Sequence, residues 1–188
     1  MVRSFLAFGV SEEVRLNLGA LICSLKPLSQ GVHWVEPENF HCTLKFFGDL
    51  DERFLNDSIV SIIEKEIRNF RSVLVKCIGI QVFPNWKYPK VVWAGLSGNI
   101  ETVLQWHRLL EEAFAKEGVV RDERDFRTHL TVGRVKQKLK KASWIKTLEK
   151  LVSKDFGSMK INGLTLYKSQ LTKTGPIYTP LKQFLLPI

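Results

Sequence analysis

Two short words, His41-Cys42-Thr43-Leu44 and His129-Leu130-Thr131-Val132, constrain this chain more than any other feature of it. Each ends in aliphatic residues suited to a β-strand, and side chains alternate faces along a strand. The His and the Thr of each copy therefore share one face, while Cys42, Leu44, Leu130 and Val132 turn into the body. One such word in a strand is the ordinary mark of a structural histidine. Two of them, set face to face, furnish a cleft with two titratable imidazoles and two hydroxyl donors, a set suited to an anionic ester such as a phosphodiester.

The segments before the two words follow a similar order. Residues 2 to 9 read as a strand; Ser11-Glu12-Glu13 starts a helix with the apolar stripe Val14, Leu18, Leu21, Ile22 and Leu25. Gly31 ends that unit, a short strand Val32-His33-Trp34-Val35 follows, and the first His-x-Thr strand runs to Gly48. Asp51 opens a second helix striped by Leu55, Ile59, Ile62, Ile63, Ile67 and Phe70, which reads as core. Strands over 72–83 and 90–97 flank the loop Pro84 to Pro89, and Asn99 caps a helix to Lys116, with Gly118 after it. The charged connection Arg121-Asp122-Glu123-Arg124-Asp125 leads into the second His-x-Thr strand. A basic helix near 141–154, a long strand through Leu171, the turn Thr174-Gly175-Pro176 and a final strand to Leu186 complete the chain. The alternation predicts an α/β or α+β fold, and the matched order predicts an internal duplication: two related lobes around a shared cleft.

With 188 residues and 45% hydrophobic content, residues 1–188 are expected to form one domain. The N-terminus lacks the basic leader and apolar core of a secretory signal, and no apolar run approaches membrane-spanning length. A soluble, cytoplasmic protein is expected. Cys23, Cys42 and Cys77 are odd in number and widely spaced, so they read as buried thiols rather than a disulfide framework or a metal site. Seven of the nine net positive charges fall within residues 121 to 160, around and after the second His-x-Thr. Such a field favours RNA, DNA or nucleotides as partners, although a Lys-rich helix also serves as an ordinary solvated surface.

At these residues the chain resembles the two-histidine (2H) phosphoesterase superfamily, and within it the RNA 2′,3′-cyclic phosphodiesterases, also called 2′-5′ RNA ligases. The likeness extends through Arg3-Ser4-Phe5-Leu6-Ala7-Phe8, the run from Val32 to His41, Lys45-Phe46-Phe47-Gly48 and Val92-Trp93-Ala94-Gly95. It continues through Phe126, Gly133-Arg134, Leu166 to Leu171 and Gly175-Pro176-Ile177-Tyr178. The resemblance implies an α+β, bilobal, duplicated fold: two pseudo-symmetric lobes, each with an antiparallel β-sheet and flanking helices, around a central cleft. It implies that His41 and His129 are the catalytic imidazoles, that Thr43 and Thr131 bind phosphate oxygens, and that Phe46 and Arg134 lie at the substrate. It further implies a monomer acting, without cofactor, on RNA with 2′,3′-cyclic phosphate ends, tRNA halves among them. Cys42 stands where the family usually has an aliphatic residue, Gly133 where Ala is commoner, and Thr128 where Pro is frequent. None of these changes a reacting group, and the missing proline only loosens the approach to the strand.

Opening a cyclic phosphate needs one group to take a proton from water and one to give a proton to the departing ribose oxygen. Imidazole, with an ordinary pKa of about 6.5, serves both purposes near neutral pH. Following the family, His129 is assigned as the base and His41 as the acid at the 3′ oxygen, leaving a 2′-phosphate. With a 5′-hydroxyl RNA end in place of water, the same pair would form a 2′-5′ linkage without ATP. A zinc site on His41 and His129 would need a third protein ligand, and the spacing of Cys and acidic residues supplies none, so no metal is expected. His107 reads as packed or half-exposed on its helix, and His33 as at most a neighbour of the site. Phe46 either stacks on a base or fills core, and the family favours the base. Lys136, Lys138, Lys140 and Lys141 either track an RNA backbone or solvate a surface. Two alternatives stand beside hydrolysis of RNA ends. One is action on another substrate, such as ADP-ribose 1″,2″-cyclic phosphate or a 2′-5′ oligoadenylate; the other is an RNA-binding module without catalysis.

Overall fold

The computed structural model describes residues 1–122, 125–136, 143–172 and 175–187. Ser11 ends β1 (Val2–Gly9) and starts α1 (Glu12–Leu25): its hydroxyl accepts the Val14 N–H at 3.3 Å, and Glu12 and Glu13 sit at the positive end of the helix. Val14, Leu18, Ile22 and Leu25 are buried as the stripe predicts. Cys42 and Cys77 are buried, but Cys23 is exposed, because it lies on the outer side of α1 from Ile22.

After β2 (Val32–Trp34) comes β3 (His41–Leu50), which runs on past Gly48 because that glycine takes a φ of +70° within the strand. Asp51 caps the next helical stretch by accepting the Arg53 and Phe54 N–H groups. That stretch consists of α2 (Glu52–Phe54), a π turn over Leu55–Ile59, α3 (Val60–Glu66) and a tight turn over Ile67–Asn69. β4 (Val73–Phe83) and β5 (Val91–Gly98) precede α4 (Ile100–Lys116). Asn99 precedes α4 without capping it through its side chain, contrary to the sequence reading.

Beyond β6 (His129–Val135), α5 (Ser143–Glu149) is shorter than the basic helix expected at 141–154, whose first two residues lie outside the described ones. The Leu151 and Lys154 carbonyls accept the Ile80 and Gly79 N–H groups of β4, at 2.9 and 2.8 Å, which draws the chain into sheet pairing instead of further helix. The long strand expected through Leu171 is two strands in different sheets, β7 (Asp155–Ile161) and β8 (Gly163–Thr172). They part at Asn162-Gly163, where the backbone crowds: a Cβ on Gly163 would stand 2.9 Å from the Phe184 carbonyl oxygen. β9 (Gly175–Leu185) returns along β8.

All strand pairs are antiparallel, and they form two sheets, in the orders β3-β1-β8-β9 and β2-β6-β5-β4-β7. The duplication is visible in these orders. β3, β1, β8 and β9 correspond to β6, β5, β4 and β7, leaving β2 as a strand with no counterpart among the described residues. The helices cross over between the lobes. α1 follows β1 but packs on the other sheet, where Ser11 Oγ and Asn17 Nδ2 donate to the Ser158 and Phe156 carbonyls of β7. α4 follows β5 but packs on the first sheet, with Phe114 edge-on to Phe47 of β3 at 5.0 Å. The buried apolar side chains accordingly form a cluster drawn from both sheets, and each lobe's core includes a helix from the other.

Candidate active site

The two His-x-Thr words begin β3 and β6, and the strands meet: the buried Cys42 thiol is within hydrogen-bonding reach of the His129 backbone. Burial pushes that thiol up to about 12, with the His129 contact acting the other way, so it stays protonated and packs as a small apolar group. From each histidine onward the burial runs half-buried, buried, half-buried, buried, buried, exposed in both strands. Strict alternation would have placed Lys45 and Gly133 on the face of the histidines. Instead each strand is bulged against its neighbour just after the threonine: Ala7 pairs with Thr43 but Leu6 with Lys45, and Trp93 pairs with Thr131 but Val92 with Gly133. The extra residue reverses the parity of the strand beyond it. Phe46 and Arg134, each five residues after its histidine, are thereby returned to the cleft face.

The cleft encloses about 480 Å³, and His41, Thr43, Phe46, His129, Thr131 and Arg134 all line it. Both imidazoles are held alike. His41 Nδ1 lies 2.7 Å from the Asn39 carbonyl and His129 Nδ1 2.8 Å from the Arg127 carbonyl, in each case the residue two before. A carbonyl only accepts, so Nδ1 carries the proton in both rings and the neutral form of each has its lone pair on Nε2. Neither Nε2 hydrogen-bonds to protein among the described residues, and the Thr43 and Thr131 hydroxyls are likewise open there.

The surroundings of the two rings differ. Phe5 lies against His41 at 4.9 Å and Tyr178 meets it edge-on at 5.2 Å, the first from β1 and the second from β9. This aromatic enclosure desolvates His41 and lowers its pKa, with the positive charges of His129 and Arg134 adding to the effect and the Asn39 hydrogen bond opposing it. His129 instead meets the edges of Phe83 and Trp93, at 5.7 and 5.9 Å. Phe46 is exposed, with the Arg3 guanidinium 4.7 Å from its ring centre and Asp49 holding that arginine at 3.5 Å. One face of the ring thus carries a cation.

Behind this wall, Lys45 is turned inward by the bulge. Its Nζ reaches Glu111 Oε1 of α4 at 2.7 Å and the Val120 carbonyl at 2.8 Å, while Glu111 Oε2 accepts the Asp122 N–H at 3.4 Å. The buried pair ties the first motif strand to the connection that leads into the second. In β6 the equivalent position is Gly133, and the space there belongs to Trp34, whose ring a Cβ would approach to 2.8 Å. That contact accounts for glycine at a position where the resemblance makes alanine commoner.

Several cleft residues were not singled out as site residues from sequence. Tyr178 and Ser169 come from β9 and β8; Trp34 and His33 come from β2. His33, read as peripheral, lines the cleft because it pairs in register with Arg134. A period-2 reading of β2 shows which side chains share a face but not which strand lies beside them. His107 is half-buried, as expected, and stacks on Phe126 at 4.0 Å. The loop at Pro84 to Pro89 contributes no cleft residue. Lys136 lines the cleft, whereas Lys138, Lys140 and Lys141 lie outside the described residues. Among the described residues, no three His, Cys, Asp or Glu side chains group as a metal site, and no helix is long and apolar enough to cross a membrane.

Comparison with known proteins places the chain in a family. The family model of the 2′-5′ RNA ligase superfamily matches residues 17–173. A protein of Methanothermobacter thermautotrophicus named RNA 2′,3′-cyclic phosphodiesterase is 39% identical, over 98% of this chain and 99% of its own length. One of the same name from Archaeoglobus fulgidus is 36% identical, over 97% of this chain and 99% of its own. Among solved structures, a Thermus thermophilus protein superposes with a TM-score of 0.82 at 25% identity, covering 98% of this chain and 97% of that one. E. coli LigT bound to 3′-AMP superposes at 0.76 with 20% identity, over 98% of both chains, and shows the same fold. The chain belongs to the 2′-5′ RNA ligase superfamily of two-histidine phosphoesterases.

Proposed function

We propose that this chain is an RNA 2′,3′-cyclic phosphodiesterase, which opens the terminal cyclic phosphate of RNA to a 2′-phosphate by metal-independent acid–base catalysis. One observation carries the reading: two imidazoles, each with Nδ1 tied to a backbone carbonyl and Nε2 left open, border one cleft together with two free threonine hydroxyls. The names of the full-length relatives agree with it. The cyclic phosphate lies between the histidines, its non-bridging oxygens accepting from the Thr43 and Thr131 hydroxyls and from Arg134. His129 Nε2 takes a proton from water as the water oxygen attacks phosphorus. The bond from phosphorus to the 3′ oxygen breaks, and His41 Nε2–H protonates that oxygen. The base of the terminal nucleotide stacks on the face of Phe46 opposite Arg3.

His41 is the more demanding half of the pair, since burial and the nearby charges of His129 and Arg134 disfavour its protonated form. A bound phosphate anion offsets those two charges, so substrate itself promotes protonation of the acid. With a 5′-hydroxyl RNA end as the nucleophile, the same steps give a 2′-5′ linkage. RNA ends such as tRNA halves, met by a cytoplasmic monomer, are the substrates in this reading.

The test is to incubate the protein, without metal or ATP, with an oligoribonucleotide ending in 2′,3′-cyclic phosphate, and to identify the product terminus. A 2′-phosphate is expected, with turnover lost in His41→Ala and His129→Ala. A 3′-phosphate would overturn the assignment of the leaving oxygen, undiminished turnover by either variant would overturn its catalytic role, and no turnover by the natural protein would overturn the function.

A further inference from the structure

The duplication leaves one strand over. β2 lies outside β6 at the edge of its sheet, and among the described residues the other sheet has no strand in the corresponding place beyond β3. β2 therefore lengthens one wall of the cleft, and it does so with a cationic edge. His33 pairs in register with Arg134, Trp34 with Gly133, and Lys136 follows the end of β6, where its N–H donates to the Gly31 carbonyl at 2.9 Å. The pairing is firmly held: the Trp34 indole N–H donates to Ser29 Oγ at 2.9 Å, and its ring meets Trp144 edge-on. His33 and Lys136 are exposed, and both border the same cleft as the two histidine motifs. Glu36 borders it too, but its carboxylate pairs with Lys26 at 3.6 Å, which offsets that negative charge.

A cyclic terminal phosphate carries a single negative charge, and both threonines, Arg134 and the catalytic pair already face it. His33 and Lys136 exceed what that anion needs. They lie farther along the wall than Thr131, by two register steps of about 3.3 Å to Arg134 and its partner His33 and more to Lys136. A 2′,3′-cyclic phosphate closes the 3′ end of an RNA, so the chain can leave the cleft only through its 5′ oxygen, toward the next phosphodiester.

Resting on the phosphodiesterase reading above, we propose that His33 and Lys136 form a subsite for the first internucleotide phosphate upstream of the cyclic terminus. β2 is then the element that makes the cleft a site for RNA ends rather than for single nucleotides.

The experiment compares kcat/KM for adenosine 2′,3′-cyclic phosphate, which lacks that phosphate, with kcat/KM for the dinucleotide ApA ending in the same cyclic phosphate. One charge-assisted phosphate contact predicts a preference of about tenfold for the dinucleotide. The preference should fall toward one in the double variant His33→Ala, Lys136→Ala, and equally for the natural protein when the internucleotide link is a neutral methylphosphonate. Equal rates on both substrates by the natural protein would overturn the subsite. So would a preference that survives the double variant, or one that survives the methylphosphonate. Failure of the phosphodiesterase reading is recognised separately, since neither substrate would then turn over.

Discussion

The two halves of the cleft share one local plan and differ in what surrounds it. Around His41 the wall is aromatic and close, with Phe5 and Tyr178 against the ring and a buried ion pair at Lys45 behind. Around His129 the rings of Phe83 and Trp93 meet the imidazole edge-on at longer range, and the wall continues into Arg134, His33 and Lys136. Duplication thus supplies two equivalent imidazoles, and their environments make them unequal: Phe5 and Tyr178 crowd and desolvate His41, whereas Phe83 and Trp93 meet His129 at longer range. Unequal environments are what a reaction needing one acid and one base requires.

The sharpest way to break this comparison is to remove each histidine in turn. His41→Ala and His129→Ala should each lower kcat by roughly a thousandfold, within the range for lost acid–base groups. A substrate whose bridging 3′ oxygen is replaced by sulfur needs no protonation of its leaving group, so it should restore most of the rate to His41→Ala and little to His129→Ala. The reverse pattern of rescue would exchange the two roles.

Next in size is the asymmetry at the bulges. Lys45→Met leaves Glu111 buried without its cation and should cost about 3–5 kcal/mol of stability by thermal or denaturant unfolding. Adding Glu111→Leu should recover most of that. If the double variant is as unstable as the single one, the pair does not act as a unit.

The threonines test where the halves are alike. Thr43→Val and Thr131→Val should each lower kcat by roughly a hundredfold, the usual cost of losing one fixed donor to developing charge, with smaller effects on KM. Loss on one side only would mean that the phosphate sits against a single lobe.

The smallest effect concerns pH. Acting as the acid, His41 must be protonated, so kcat/KM should fall as pH rises through its lowered pKa, below the usual 6.5. The corresponding fall in kcat should come at higher pH, because the bound anion favours the charged ring. Tyr178→Ala admits water to the ring and should move the kcat/KM limb upward by up to about one pH unit, given the usual strength of an aromatic contact. Phe83→Leu, on the other wall, should leave that limb in place. A limb that falls instead as pH drops, and moves with Tyr178, would make His41 the base.

Much of this site was legible in the chain. Period-2 alternation placed His41 with Thr43 and His129 with Thr131, and Cys42, Leu44, Leu130 and Val132 are all buried as that alternation predicts. The matched order of strand and helix before each word corresponds to the matched strand orders of the two sheets. Alternation fails just after each threonine, because the bulge depends on how β1 and β5 pair with their neighbours, and no pattern in β3 or β6 alone displays it. The stretch through Leu171 reads as one long strand in the sequence, although Asn162-Gly163 inside it marks the passage from one sheet to the other.

Local spacing therefore determined which side chains travel together on a strand face, and the repetition of that spacing determined that there would be two such faces. Both follow from covalent geometry, which any strand obeys wherever it lies. Which wall each face joins was decided by tertiary structure alone: that α1 and α4 cross to opposite lobes, that Lys45 turns inward to Glu111, that β2 brings His33 beside Arg134, and that Phe5 and Tyr178 lie closer to His41 than Phe83 and Trp93 do to His129. These are contacts between segments far apart in the chain, set by how the two sheets bury their apolar faces together, and their strength depends on that shared burial.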